Sequence, residues 1–259
     1  MFVEAVTPDF RIVEETNDYL VVDKPPFLLT HPTKPDSEPT LWGELRKLLA
    51  FEIVNSGQVS IINRLDRETS GLVLVAKTNA TARRFGQLMQ QGKLDKEYLA
   101  IVWDWPEWGK KVVDAPLDRQ GKHQPSAIWL KQAIHPAGLK AQTQLQVEHR
   151  FARITTNGDK FSLIRAIPQT GRTHQIRVHL SSLGHPVVGD KIYGPNERLY
   201  LQFIETGWTS ELEHQLLLPR QALHSAKLAV KNEGEWTSPL PVDLAQWCSG
   251  SCPQPQISG

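Results

Sequence analysis

Ile61-Ile-Asn-Arg-Leu-Asp-Arg-Glu-Thr-Ser-Gly-Leu-Val-Leu-Val-Ala76 decides the reading of this chain. A carboxylate, Asp66, stands between Arg64 and Arg67, and Thr69-Ser70-Gly71 turns the chain into an unbroken apolar run from Leu72. Such a run of leucine and β-branched residues predicts a strand buried on both faces. The flanking cations favour an ionised carboxylate at neutral pH. By local chemistry alone, the same residues also fit a surface Arg-Asp-Arg ion pair ahead of a turn.

Outward from this segment, strands and helices follow one another irregularly. Tyr19–Asp23 reads as a strand stopped by Lys24-Pro-Pro, because proline has no amide hydrogen and restricts its neighbour. Residues 31–40 read as a loop, and Thr40 as the cap of a helix over 41–50. Asn79 is expected to cap a helix to about Gln91, with Ala82, Phe85, Leu88 and Met89 at helical spacing and Gly92 at its end. Strands are expected at Lys96–Trp103, Gln142–Val147, Phe161–Ile167 and Ala222–Val230, with a basic, irregular excursion over 119–140. Trp103, Trp105 and Trp108 fit a hairpin packing cluster or a stacking platform. Without βαβ alternation the class is α+β, with a mostly antiparallel central sheet flanked by helices.

A second segment carries the other candidate chemistry, Thr170-Gly-Arg-Thr-His-Gln-Ile-Arg-Val-His-Leu180, followed by Gly184-His-Pro-Val-Val-Gly-Asp190. A helix over 173–183 would turn Ile176, Leu180 and Leu183 inward and leave Thr173, Arg177 and Ser181 on a polar face. His174 and His179 are five residues apart and point to different helical faces, a poor arrangement for metal ligation. No metal and no organic cofactor is expected.

The 259 residues are 40% hydrophobic and 22% charged, which supports a core and excludes general disorder. No apolar run approaches membrane-spanning length, the N-terminus lacks a signal-peptide pattern, and Cys248 and Cys252 are too few for a disulfide framework. The expectation is a soluble cytoplasmic protein with no membrane partner, acting as a monomer. The net charge of +1 hides an uneven distribution. Residues 61–200 hold 21 Lys+Arg against 12 Asp+Glu, whereas residues 1–60 hold 5 against 10. A basic middle suits contact with a phosphate backbone, and ordinary clustering of surface charge accounts for the count equally well.

In order along the chain, Val22-Asp-Lys-Pro25, Asn63-Arg-Leu-Asp-Arg-Glu-Thr-Ser-Gly71, Lys96-Glu-Tyr-Leu-Ala100, Gly171-Arg-Thr-His-Gln-Ile-Arg-Val-His-Leu180, Gly184-His-Pro-x-x-Gly-Asp190, Leu223-His224 and Pro239-Leu-Pro-x-Asp243 resemble the RluA-type pseudouridine synthases. The resemblance spans roughly residues 10–245. It implies the pseudouridine synthase fold and an enzyme that isomerises uridine to pseudouridine in ribosomal or transfer RNA. It further implies that Asp66 is the essential carboxylate, Arg177 its ion-pair partner, and Tyr98 the ring that stacks on the target base, all held in one cleft. Arg64 would fill the space left by the flipped nucleotide, and Arg67, Thr69, Arg172 and His174 are assigned to substrate binding. Read from the residues alone, Tyr98 fits a core position and Arg172 and His174 fit bracing of their own loop.

Asn63 stands where the family has histidine, a change expected to act on substrate fit. A catalytic domain over 10–245 and a tail over 246–259 are expected, with no separate N-terminal RNA-binding domain. Two rival readings are weaker. Glycoside hydrolysis needs two carboxylates across the sugar, and the nearest second acid, Glu68, is only two residues from Asp66. A non-catalytic RNA-binding module would have no use for Asp66, Tyr98 and Arg177 together.

Overall fold

The computed structural model describes residues 9–33 and 39–249. The sequence readings at the extreme N-terminus, in the middle of the 31–40 loop and over 250–259 therefore lie outside the described residues. In chain order the elements are β1 (Arg11–Glu15), β2 (Tyr19–Lys24), α1 (Leu41–Leu48), α2 (Ala50–Val54), β3 (Ser60–Ile61), β4 (Ser70–Ala76), α3 (Asn79–Gln90) and β5 (Leu94–Trp103). Next come β6 (Lys110–Asp114), β7 (Leu117–Arg119), β8 (Gln132–Ile134), β9 (Gln142–Ala152), β10 (Lys160–Pro168), α4 (Gln175–Ser182), α5 (Arg198–Thr206) and α6 (Ser210–Leu216). The chain closes with β11 (Leu223–Val230), β12 (Gly234–Thr237) and α7 (Val242–Cys248). The class is α+β, as expected.

The described residues divide into two compact units, one running to residue 98 and including 223–239, the other holding 99–222 and the segment from 240. In the first, β4 pairs antiparallel with β2 and β3, and β2 with β1. β4 also pairs parallel with β11 through His224↔Ser70 and Ser225↔Gly71, and β11 pairs antiparallel with β12. All seven residues of β4 are buried, as its apolar run requires. Leu72, Leu74 and Ala76 join Tyr19, Val21, Phe85 of α3, Leu228 and Trp236 in one core. The cap of α3 is Thr78, whose side chain accepts from the Thr81 amide, and not Asn79, which is already helical. The Thr78 hydroxyl is thus the oxygen that satisfies a first-turn amide.

In the second unit β9 pairs antiparallel with β10 and with β6. The excursion over 119–140 contains more order than its composition shows, since β7 and β8 form a small antiparallel ladder. Trp103 packs against Phe161 at 5.3 Å, and Trp105 Nε1 donates to the Phe151 carbonyl, which fits the packing-cluster reading. The expected tail boundary at 246 falls inside α7, whose Trp247 is buried against Phe161 and Phe151. Arg220, 1% exposed, grips Asp243 of the same helix through Nε and Nη2 at 2.7 and 3.0 Å. No helix among the described residues is long and apolar enough to cross a membrane.

Candidate active site

Asp66 sits on a loop whose main chain is clamped at successive points. The Asn63 side chain donates to the Leu72 carbonyl at 3.1 Å and accepts from the Leu74 amide at 2.8 Å. Thr30 Oγ1 donates to the Leu65 carbonyl at 2.7 Å and accepts from the Leu65 amide at 3.3 Å. Lys24, with no exposed surface, donates from Nζ to the carbonyls of Pro25, Leu28 and Arg67. Within the loop the Thr69 amide donates to the Asp66 carbonyl. Buried polar groups must find partners, and here the partners are the loop's own peptide groups.

Gly71 follows with φ +110, and a Cβ there would lie 2.3 Å from the Ser225 carbonyl oxygen. Only glycine permits both that backbone angle and that approach. The parallel contact brings His224 and Ser225 behind the loop. Ser70 Oγ lies 3.0 Å from His224 Nδ1, whose other nitrogen faces the Ser238 carbonyl at 3.3 Å. With Nε2 donating to that carbonyl, Nδ1 is the acceptor for the Ser70 hydroxyl. Ser225 Oγ donates to the Leu72 carbonyl and is also hydrogen-bonded to Tyr98.

Tyr98 is buried on β5, as a core reading required, yet its surroundings are polar. Burial pushes its hydroxyl up to about 12, the Asp66 charge adds to the rise, and the Ser225 hydrogen bond partly opposes it. Asp66 and Tyr98 are therefore electrostatic neighbours in the first unit. Tyr98 is neutral across the physiological range, suited to stacking or donating but not to acting as a base. Asp66 is half-buried, with Arg64 and Arg67 exposed on either side. Thr69, assigned to substrate, is buried in the turn, where its amide donates to the Asp66 carbonyl. Asn63 is likewise buried, and its amide is spent on β4. Its contacts anchor the loop to β4.

In the second unit, α4 is buried from Gln175 to Leu180, so Arg177 does not lie on a solvated polar face. It is 5% exposed, and its Nε and Nη2 meet Asp190 at 2.6 and 2.8 Å. Asp190 also accepts from the amides of Ile192 and Tyr193. Burial alone would raise the Asp190 carboxyl, but the Arg177 charge and these hydrogen bonds hold it below the usual carboxylate range. Gly189, with φ +77, allows this arrangement, because a Cβ would fall 1.9 Å from the Arg220 carbonyl oxygen. The Gly189-Asp190 pair thus holds the arginine, a role the sequence reading missed.

The loop before α4 is fixed by Gln175, which accepts from Thr170 Oγ1 and the Arg172 amide and donates to the Gln142 carbonyl and Thr143 Oγ1. Arg172 Nε donates to the Lys140 carbonyl, and His174 Nδ1 lies 2.8 Å from the Tyr193 hydroxyl. Both thus brace their loop, as local chemistry allowed. His179 is a core residue, with Nδ1 2.8 Å from Thr143 Oγ1 and Nε2 3.0 Å from the Ala115 carbonyl; burial lowers its pKa.

Comparison with known proteins identifies the family. The RNA pseudouridylate synthase family matches residues 18–182. The ribosomal large subunit pseudouridine synthase D of Nitrosomonas europaea is 34% identical over 240 residues, covering 91% of this chain and 63% of that protein. The proteins of the same name from Yersinia pestis and Pseudomonas aeruginosa are 33% and 34% identical, each covering 91% of this chain, with 68% and 70% of their own lengths matched. The chain therefore spans about two thirds of the length of these relatives. Among solved structures, human RNA pseudouridylate synthase domain containing 1 superposes with a TM-score of 0.65 at 26% identity, over 90% of this chain and 84% of that one. Human RNA pseudouridylate synthase domain containing 4 has the same fold, with a TM-score of 0.67 at 23% identity over 90% of each chain. With its signature loop, its buried tyrosine and its arginine-bearing helix, the chain belongs to the RNA pseudouridylate synthase family.

Proposed function

We propose that this protein isomerises uridine to pseudouridine in large-subunit ribosomal RNA. The bond between uracil N1 and ribose breaks, the base turns, and the sugar is rejoined at carbon 5, whose hydrogen leaves as a proton while N1 takes up a proton. Asp66 acts as the anion in the ribose step, Tyr98 stacks on the extruded base, and Arg177 is the charge partner of Asp66. Arg64 fills the gap left by the flipped nucleotide, and Arg67, Arg172 and His174 line the RNA path. The observation that carries the reading is the buried, neutral Tyr98, fixed by Ser225 and within the field of the Asp66 carboxylate. Unstacking a uridine costs a few kcal/mol. An aromatic platform returns about 1–3 kcal/mol of that. The sequences named for ribosomal large subunit modification support rRNA as the substrate. We place the protein in the cytoplasm as a monomer that needs no metal or organic cofactor.

The test is tritium release from large-subunit rRNA carrying uridine labelled at carbon 5, with site-resolved pseudouridine mapping. Wild type should release tritium at a defined uridine. Asp66→Asn nearly preserves size and should lower the rate by at least about four orders of magnitude while RNA binding survives. Near-normal release by the Asn variant would overturn the assignment.

A further inference from the structure

The two-stranded excursion of the second unit holds an aromatic feature that the site above does not use. Ile128 is buried in a core with Leu117, Val178 and Tyr193, and the Lys131 amide donates to the Ile128 carbonyl at 3.1 Å. Trp129 and Leu130 therefore occupy the two corners of a tight turn. The turn is anchored on both sides, since Ser126 Oγ bonds the Ile128 main chain and the Gln120 amide donates to the Lys131 carbonyl. Trp129 is 74% exposed, and the Arg119 guanidinium lies over its ring at 3.5 Å from the centroid. One face of the indole is thus backed by a cation while the other meets solvent. A large ring held in water by a rigid turn forgoes the burial energy that usually draws tryptophan inward.

The surroundings fit one kind of partner. Residues 117–140 hold Arg119, Lys122, Lys131 and Lys140 against a single acid, Asp118, together with the stacked pair His123 and His135. The excursion is also tied to the second motif. The Gln132 amide donates to the Tyr193 hydroxyl, which lies 2.8 Å from His174 Nδ1, and Lys140 accepts from Arg172. A cation-backed aromatic plane on a basic arm matches the chemistry of an unpaired nucleobase on a polyanionic strand.

We propose that Trp129, backed by Arg119, is a stacking shelf for an unpaired base of the RNA, additional to the base that reacts. The proposal rests on the RNA-modifying reading above and names a recognition element for it. The probes are a fluorescent oligouridylate of roughly twelve nucleotides and an abasic strand with the same phosphates, since single-strand sites of this kind span about 4–16 nucleotides. Wild type should bind the oligouridylate more tightly than the abasic strand. Trp129→Ala should weaken oligouridylate binding about tenfold and the abasic strand little, whereas Trp129→Phe should stay within about threefold of wild type. Equal losses on both strands, or no loss on either, would overturn the shelf; the latter would leave the turn to a protein partner. Thermal melting should be unchanged in both variants because the ring is exposed. Tritium release from rRNA is read on the same preparations. An inactive wild type with the base-selective loss intact would overturn the catalytic reading and support the shelf. An active wild type with Trp129→Ala binding normally would overturn the shelf alone.

Discussion

Gly71 and Ser225 approach so closely that no side chain fits between them: a Cβ on Gly71 would stand 2.3 Å from the Ser225 carbonyl oxygen. This contact joins the end of the Asp66 loop to the strand whose Ser225 holds Tyr98. Gly71→Ala must therefore strain φ +110 and push β11 away. The expected cost is at least about 2 kcal/mol. It should appear as a lower urea midpoint, with tritium release falling further than the stability loss explains.

The Arg177–Asp190 pair sets a second expectation. Asp190→Asn leaves the guanidinium buried beside a neutral amide, and breaking such a pair costs about 3–5 kcal/mol. Because the folded carboxyl titrates below its ordinary value of 3.8, its contribution is present above that pH and is lost as pH falls through the lower folded value. Urea titrations should therefore show a shallower acid limb below about pH 4 in the variant. An unchanged acid limb would contradict the pairing.

His179 acts in a different window. Its folded pKa lies below 6.5, so its contribution is present above that value and is lost as pH falls toward the folded one. His179→Gln should lower stability at neutral pH and flatten its dependence just below pH 6.5. Chemical denaturation between neutral pH and about pH 5 measures this.

Ultraviolet titration reads Tyr98 directly. Four tyrosines are present, and the hydroxyls of Tyr19 and Tyr98 are both pushed up to about 12. The late phase should lose one phenol in Tyr98→Phe. Since the folded pKa is the higher one, stability from this group is full below about 10 and declines as pH rises through about 12. A Tyr98 that ionised with the early phase would contradict the buried site.

Asn63→Ala takes the acceptor from the Leu74 amide and leaves the Leu72 carbonyl with the Ser225 hydroxyl. The expected loss is about 1–3 kcal/mol. Affinity for the oligouridylate should not change below the melting range, because the Asn63 amide serves β4. A fall in affinity at full stability would return this residue to substrate recognition.

Much of the fold was legible where local pattern and tertiary environment agreed. The run after Gly71 has the pattern of a buried strand, and Ala82, Phe85 and Leu88 fall at helical spacing. Other features depend on contacts distant in sequence. That Asp190 meets Arg177 depends on φ +77 at Gly189, and no local property of the helix announces that. Ser225 has no signal beyond standing next to His224, since its role arises from the parallel contact with β4. Helix α7 was hidden because Trp247 and the Arg220–Asp243 pair hold it in place, while its neighbours read as a tail.

The loop that carries Asp66 stores its shape in peptide groups. Lys24 and Thr30 grip carbonyls and an amide, and these contacts are indifferent to which side chains the loop displays. Arg64 can therefore be exchanged without disturbing those contacts, whereas the Arg67 side chain also holds the Phe27 carbonyl. Separation of this kind lets a lineage retune which RNA it accepts by editing an exposed position, while the reacting group keeps its station.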